Sequence, residues 1–297
     1  MERGSTIEEK PMRRALALSL GFILFWPLLL TPGQAEKVAL RFGPPTGAAL
    51  TYSINGQVNV SGKDFLGRDL TLDADAQGDM RLTVLNSARD TVLAGLQTSG
   101  INVRAQLPDR TQSQTLRTME GKSLEVVFNP SGKVMDIRNP EVLGQENVLN
   151  FSLPQILRDY FPAFPVQPVG PGDQWRESRR LTIPYQGLEV HIDLAIEYTL
   201  NDIIPSPDGR KAFVSAVYTV GVSGSRDLGD SMGVFEGRGA GTGSLSFLVD
   251  RGCFTEYRID FRADAAFVAK KGTKRVLEMP FSFSLLAEVN LIGNSRP

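Results

Sequence analysis

The 297-residue sequence holds one histidine and one cysteine, so nucleophilic or metal chemistry has few side chains through which to run. His191 lies in Leu188-Glu189-Val190-His191-Ile192-Asp193-Leu194. Alternation there groups it with Glu189 and Asp193 on the polar side of a strand, the place of a surface histidine. A Ser-His-Asp triad would have to use it, yet no Gly-x-Ser-x-Gly accompanies it. One His and one Cys, His191 and Cys253, far apart in the chain, make no zinc pattern. Cys253 falls on the same alternate set as Tyr257, Ile259 and Phe261, which predicts a buried thiol rather than a nucleophile. The 33 acidic residues leave paired-carboxylate hydrolysis open as an alternative, because only geometry shows a carboxylate separation of about 5 to 9.5 Å. No catalytic, cofactor-binding or metal-binding residue is assigned, and the chain is read as non-enzymatic.

Charge narrows the partners. Lys and Arg number 32 against 33 Asp and Glu, a net charge of -1 that gives no case for nucleic acid. Arg176, Arg179 and Arg180 form one small basic cluster. Lys270, Lys271, Lys274 and Arg275 form another around Gly272, which reads as a charged hairpin tip, with contact to lipid headgroups as its alternative. Composition is globular and turn-rich, with 41% hydrophobic residues, 29 Gly and 18 Pro.

The elements that must position these residues begin after residue 35. Arg3, Lys10, Arg13 and Arg14 precede an apolar run from Ala15 to Leu30, and small Gly33 and Ala35 follow at the −3 and −1 places of a cleavage site. That is a secretory signal peptide, residues 1–35, with an uncleaved anchor as the alternative. The run is shorter than the about 20 residues of a spanning helix and contains Gly21 and Pro27. The mature chain is therefore expected to be periplasmic or secreted, with no transmembrane span; oligomeric state stays open.

Beyond residue 35 the period is two, and strands dominate. Leu124 to Phe128, the turn Asn129-Pro130-Ser131-Gly132 and Lys133 to Arg138 read as a hairpin. Gly243 to Val249, Asp250-Arg251-Gly252 and Cys253 to Phe261 repeat it at an offset of 121 residues before the turn and 120 after it. With long strands at Leu70–Leu85, Thr91–Leu107, Leu188–Ile204 and Arg210–Val222, the expected fold is mainly β. It is built of duplicated antiparallel β-meanders that form curved sheet, residues 36–168 and 169–297, packed as one unit. One short amphipathic helix is expected between them, Ser152 to Phe161, with Pro162 as its stop. Gly237, Gly239, Gly241 and Gly243 alternate. As a loop they mean flexibility, and as a strand they leave one face bare for a close-packed neighbour.

Phe164 to Trp175 (FPVQPVGPGDQW) resembles a junction of bacterial exported proteins with tandem β-halves, a proline-rich lead into Val-x-x-Gly-Asp-x-Trp. The hairpin Val127 to Val134 is similar to their matching element. More distantly, antiparallel strands with a small helix resemble the LolA/LppX type of periplasmic lipid carrier, which implies an apolar pocket between sheet and helix. The leading expectation is an exported binding protein for a lipid or other apolar ligand, with Phe151, Ile156, Leu157, Phe161, Phe164 and Trp175 in its cleft. The competing expectation for these six is a plain core plug between the halves. An envelope adaptor that binds another protein by strand addition is the alternative function.

Overall fold

Alternation is realised as long strands. The computed structural model describes residues 36–63, 68–106, 111–116, 122–143, 147–148, 151–152, 158, 161–185 and 188–295. The first meander comprises β1 (Ala49–Lys63), β2 (Asp69–Ser87), β3 (Val92–Gln106), β4 (Thr111–Leu116), β5 (Leu124–Phe128) and β6 (Val134–Arg138). A 3-10 turn (Pro140–Leu143) and the paired β7 (Asn147–Val148) and β8 (Phe151–Ser152) follow. The second meander comprises β9 (Gln174–Tyr185), β10 (Leu188–Ser206), β11 (Gly209–Asp227), β12 (Met232–Leu248), β13 (Cys253–Lys271) and β14 (Lys274–Ser295).

All but β7 and β8 join one antiparallel sheet in the order β6-β5-β3-β2-β1-β14-β13-β12-β11-β10-β9, with β4 on β3. The meanders meet where β1 pairs with β14, from Ala49 opposite Ser295 to Gly62 opposite Phe281. These strands and their core lie within Lys37–Pro297, a single compact unit. The expected helix at Ser152 to Phe161 rests on residues 153–157 and 159–160, which lie outside the described residues. Ser152 itself is extended, paired with Asn147.

Both expected hairpins form. In the first, Asn129 Oδ1 accepts from Ser131 Oγ at 2.7 Å and from the Lys133 N–H at 3.0 Å, and Gly132 supplies a φ of 86°. In the second, a 3-10 turn over Val249–Arg251 ends at Gly252 in the left-handed region. The alternating glycines lie inside β12, so the strand reading of that segment holds.

The sheet curls sharply at β12. β11 and β13 approach each other over β12, and the Tyr218 hydroxyl of β11 lies 3.4 Å from that of Tyr257 on β13. Phe235 of β12 likewise meets Phe281 of β14 with ring centres 5.6 Å apart. Bare glycines permit this: a Cβ on Gly239 would sit 2.5 Å from Ala263 Cβ, and one on Gly241 2.2 Å from Phe261 Cβ.

One end of the curled sheet is plugged. The N-terminal segment bridges two turns, with the Phe42 N–H donating to Pro130 O and the Gly43 N–H to Gly252 O, while Val38 pairs with Val169. Phe42, Phe128, Phe161, Phe164, Phe247 and Phe254 pack there with centroid distances from 4.5 to 5.9 Å. Each such ring contributes about 1.5–3 kcal/mol by burial.

Candidate functional site: the apolar inner face

Burial fades along the inner face. Leu50 and Tyr52 of β1 are buried, but the next inward residues, Ile54, Val58 and Val60, are only half-buried. On the neighbours the same holds for Leu70 and Leu72 of β2 and for Phe281, Phe283 and Leu285 of β14. Register sets these side chains in rows: Leu72, Val60, Phe283 and Ala263 form one, and Ala74, Val58, Leu285 and Phe261 the next. An apolar strip with its water-facing side incompletely covered has free energy to gain from an apolar ligand, about 25 cal/mol per Å² removed from water.

The outer face is the reverse. Glu256, Arg258, Asp260, Arg262 and Asp264 of β13 and Asp69, Asp73, Asp75 and Arg81 of β2 are exposed. A membrane-spanning barrel needs an apolar outer band about 25 Å tall, and these strands carry charge there instead. No described helix is long and apolar enough to cross a membrane.

One ionic group sits within the apolar interior. On β9, Trp175, Glu177, Arg179 and Leu181 share the inner face, and the Glu177 and Arg179 side chains are only 5% and 7% exposed. Glu177 Oε2 accepts from Arg179 Nη2 at 2.8 Å, from the Ala163 N–H at 3.1 Å and from the Tyr198 hydroxyl at 3.3 Å. Lys133 Nζ lies 3.4 Å from Oε1, so the carboxylate ties β9 to the segment that leads into it, at Ala163, and to the β5–β6 turn. Burial alone would raise the Glu177 carboxyl; the Arg179 hydrogen bond and charge, the Ala163 N–H and Lys133 outweigh it and hold the group below its ordinary value. Burial also opposes charge on Arg179, and the Glu177 carboxylate bonded to it keeps the guanidinium charged. Tyr198, Tyr218 and Tyr257 are all raised, chiefly by burial, and stay neutral. The arrangement is an ion pair set among neutral phenols.

Sequence reasoning placed Arg176, Arg179 and Arg180 together as a basic cluster. Alternation splits them: Arg176 and Arg180 face outward, where they pair with Glu197 and Asp193 at 2.6 Å each, and Arg179 faces in. Trp175 and Leu181 on the same parity were the available signal. His191 faces the outer side, its Nδ1 3.1 Å from Thr182 Oγ1. Cys253 is buried, and that burial pushes its thiol up to about 11. It lies in the wall of a shallow pocket of about 360 Å³ beside Pro44 and Leu50. Among the described residues no group of His, Cys, Asp and Glu is disposed to hold a metal ion.

Of the six expected cleft residues, Phe161 and Phe164 belong to the aromatic plug. Trp175 stacks on Tyr198 at 5.3 Å and donates from Nε1 to Ala163 O at 3.0 Å. Phe151 lies on β8, its side chain outside the description, and Ile156 and Leu157 lie outside the described residues. The structure thus brings Phe161, Phe164 and Trp175 together at the closed end, while the half-covered strip on β1, β2 and β14 was missed.

No protein-family model and no curated protein matches the chain. Solved structures with a remote likeness are outer-membrane proteins. Pseudomonas aeruginosa OccK2 in complex with glucuronate is 6% identical with a TM-score of 0.22, over 82% of this chain and 98% of that one. In-vitro folded OmpT of Vibrio cholerae is 7% identical with a TM-score of 0.20, over 82% and 98%. Likeness this low transfers neither fold nor activity to the present chain, whose mainly β, antiparallel architecture stands on its own register.

Proposed function

We propose that this is an exported, non-enzymatic carrier that holds a lipid or other apolar ligand against the half-covered inner face, in the periplasm or as a secreted protein. The observation that carries the reading is the pair of cross-strand rows containing Val58, Val60, Leu72, Phe283 and Leu285, apolar and half-buried on strands whose other side is charged. The basic, apolar and small-residue order of residues 1–35 supports export. We read the two meanders as copies of one unit: β1-β2-β3-β5-β6 and β9-β10-β11-β12-β13 pair in the same consecutive order, and their matching turns, at Pro130 and Gly252, receive neighbouring N–H groups of one segment.

The test is native mass spectrometry, with organic extraction, of protein purified from its own compartment. A reproducible apolar ligand is expected. It should be lost on Val60→Asp with Phe283→Asp at unchanged circular dichroism, and retained on Phe164→Leu in the plug. A ligand-free mass refutes the carrier and favours the adaptor, for which β9, paired on one side only among the described residues, offers the edge.

A further inference from the structure

Two hairpin tips meet at the end of the sheet away from the aromatic plug. Leu228–Ser231 joins β11 to β12, and Gly272-Thr273 joins β13 to β14. Met232 pairs with Lys270 across these strands, and Lys271 Nζ lies 3.6 Å from Asp230. Four large apolar side chains stand exposed on these tips: Leu228 at 44%, Met232 at 51%, Val276 at 54% and Leu277 at 39%. Scattered exposed apolar residues need no explanation, but four on two neighbouring turns make this rim apolar, with Leu228 and Leu277 on its inner side and Met232 on its outer side.

Cations dominate one of the two tips, while the other carries Asp227 and Asp230. The nine residues from Ala269 to Leu277 hold four cations and no acid. Glu236 engages Lys270 at 3.3 Å and Arg275 at 2.8 Å, and Glu278 engages Arg275 at 3.1 Å. Lys271 and Lys274 are exposed. The patch also runs inward: Leu228 Cδ1 lies 3.2 Å from where a Cβ on inward-facing Gly233 would be, and Leu277 pairs with Ala269. One row deeper, Phe235, Phe267 and Met279 pack together, and Phe235 touches Phe281 of the half-covered wall. An apolar path therefore joins the exposed rim to the inner face.

We propose that this rim docks on the surface of an anionic lipid bilayer. Leu228, Met232, Val276 and Leu277 enter the boundary between headgroups and acyl chains, and Lys271 and Lys274 face the lipid phosphates. Apolar side chains flanked by the lysines of one tip match that boundary, where hydrocarbon and anionic oxygen lie within one side-chain length of each other. The core of a protein interface is instead depleted in lysine. The inference rests on the carrier reading, since it supplies the route by which a lipid would enter or leave the inner face.

Residues 36–297, which contain the whole compact unit, are sedimented with vesicles of phosphatidylcholine alone and of phosphatidylcholine with phosphatidylglycerol. Binding is expected to the anionic vesicles only, and salt should reverse it. Lys271→Gln with Lys274→Gln should weaken it by about fivefold per lysine. Leu228→Ser with Leu277→Ser should weaken it while leaving the salt dependence in place. Equal binding to both vesicle types, no binding, or variants without effect overturns the proposal. Loading of a fluorescent long-chain fatty acid separates the two readings. If the probe loads and vesicles are not bound, docking fails and the carrier stands; if vesicles are bound in the expected pattern and the probe does not load, the docking rim stands and the carrier fails.

Discussion

Glu177 and Arg179 are the residues on which the closed end depends. Arg179 is held inside the sheet by a carboxylate that also receives the Ala163 N–H, so Glu177→Gln leaves a buried guanidinium without its counter-charge. Breaking one side of such a pair costs about 3–5 kcal/mol, and urea unfolding at neutral pH should show a loss of that order. The pH dependence follows from the direction of the Glu177 shift. Its folded value lies below the ordinary 4.5, so its stabilising contribution is complete above 4.5 and drains away as pH falls through the folded value. Stability measured on acidification should therefore fall more steeply in the native protein than in Glu177→Gln; parallel curves would show that the carboxylate is not the group responsible. Cys253 gives a simpler check. With its thiol buried and pushed up to about 11, alkylation by iodoacetamide at mildly alkaline pH should be negligible in the folded protein and complete in denaturant. Of these two sites the thiol was legible, since alternation put Cys253 with apolar neighbours. The buried arginine was not, because three arginines in five residues read as surface charge until Trp175 and Leu181 are used to set the parity.

Among the elements, β12 has the most singular sequence. Its glycines have no side chain to pack, and the sheet uses that absence to fold β11 toward β13. A side chain there would have to displace backbone: at Gly241 a Cβ would meet Asp260 O at 2.4 Å. Gly241→Val should cost about 3 kcal/mol, the upper part of the range for overpacking. Gly100→Ala, at a φ of 62° with nothing within 4 Å, should cost only the about 1 kcal/mol of left-handed strain. Equal losses in denaturant titrations would mean that the glycines serve chain conformation alone. The hairpins were readable because their turns carry their own chemistry, as Asn129 and Gly132 show. The glycine run was ambiguous between loop and strand, since only the neighbour it lies against decides between them. The half-covered strip was overlooked for a related reason: Val58, Val60 and Phe283 alternate like any core strand, and the fading of their burial depends on what faces them.

For the whole molecule, mainly β character and two meanders followed from period two and turn spacing, whereas the seam between β1 and β14 did not. Their register, Tyr52 with Leu291 and Val58 with Leu285, joins opposite ends of the chain, and no local pattern specifies which distant strand an edge will choose. β14 is sixth along the eleven-strand path of the sheet, between β1 and β13. Of the described strands, the last in chain order is thus the one in the middle. Until β14 is made, β1 keeps an open edge of unpaired backbone groups, and the meander it belongs to cannot be joined to the other. A chain built this way carries a bare strand edge across the more than 200 residues between β1 and β14, and shielding that edge from other chains is the task it sets for holding chaperones.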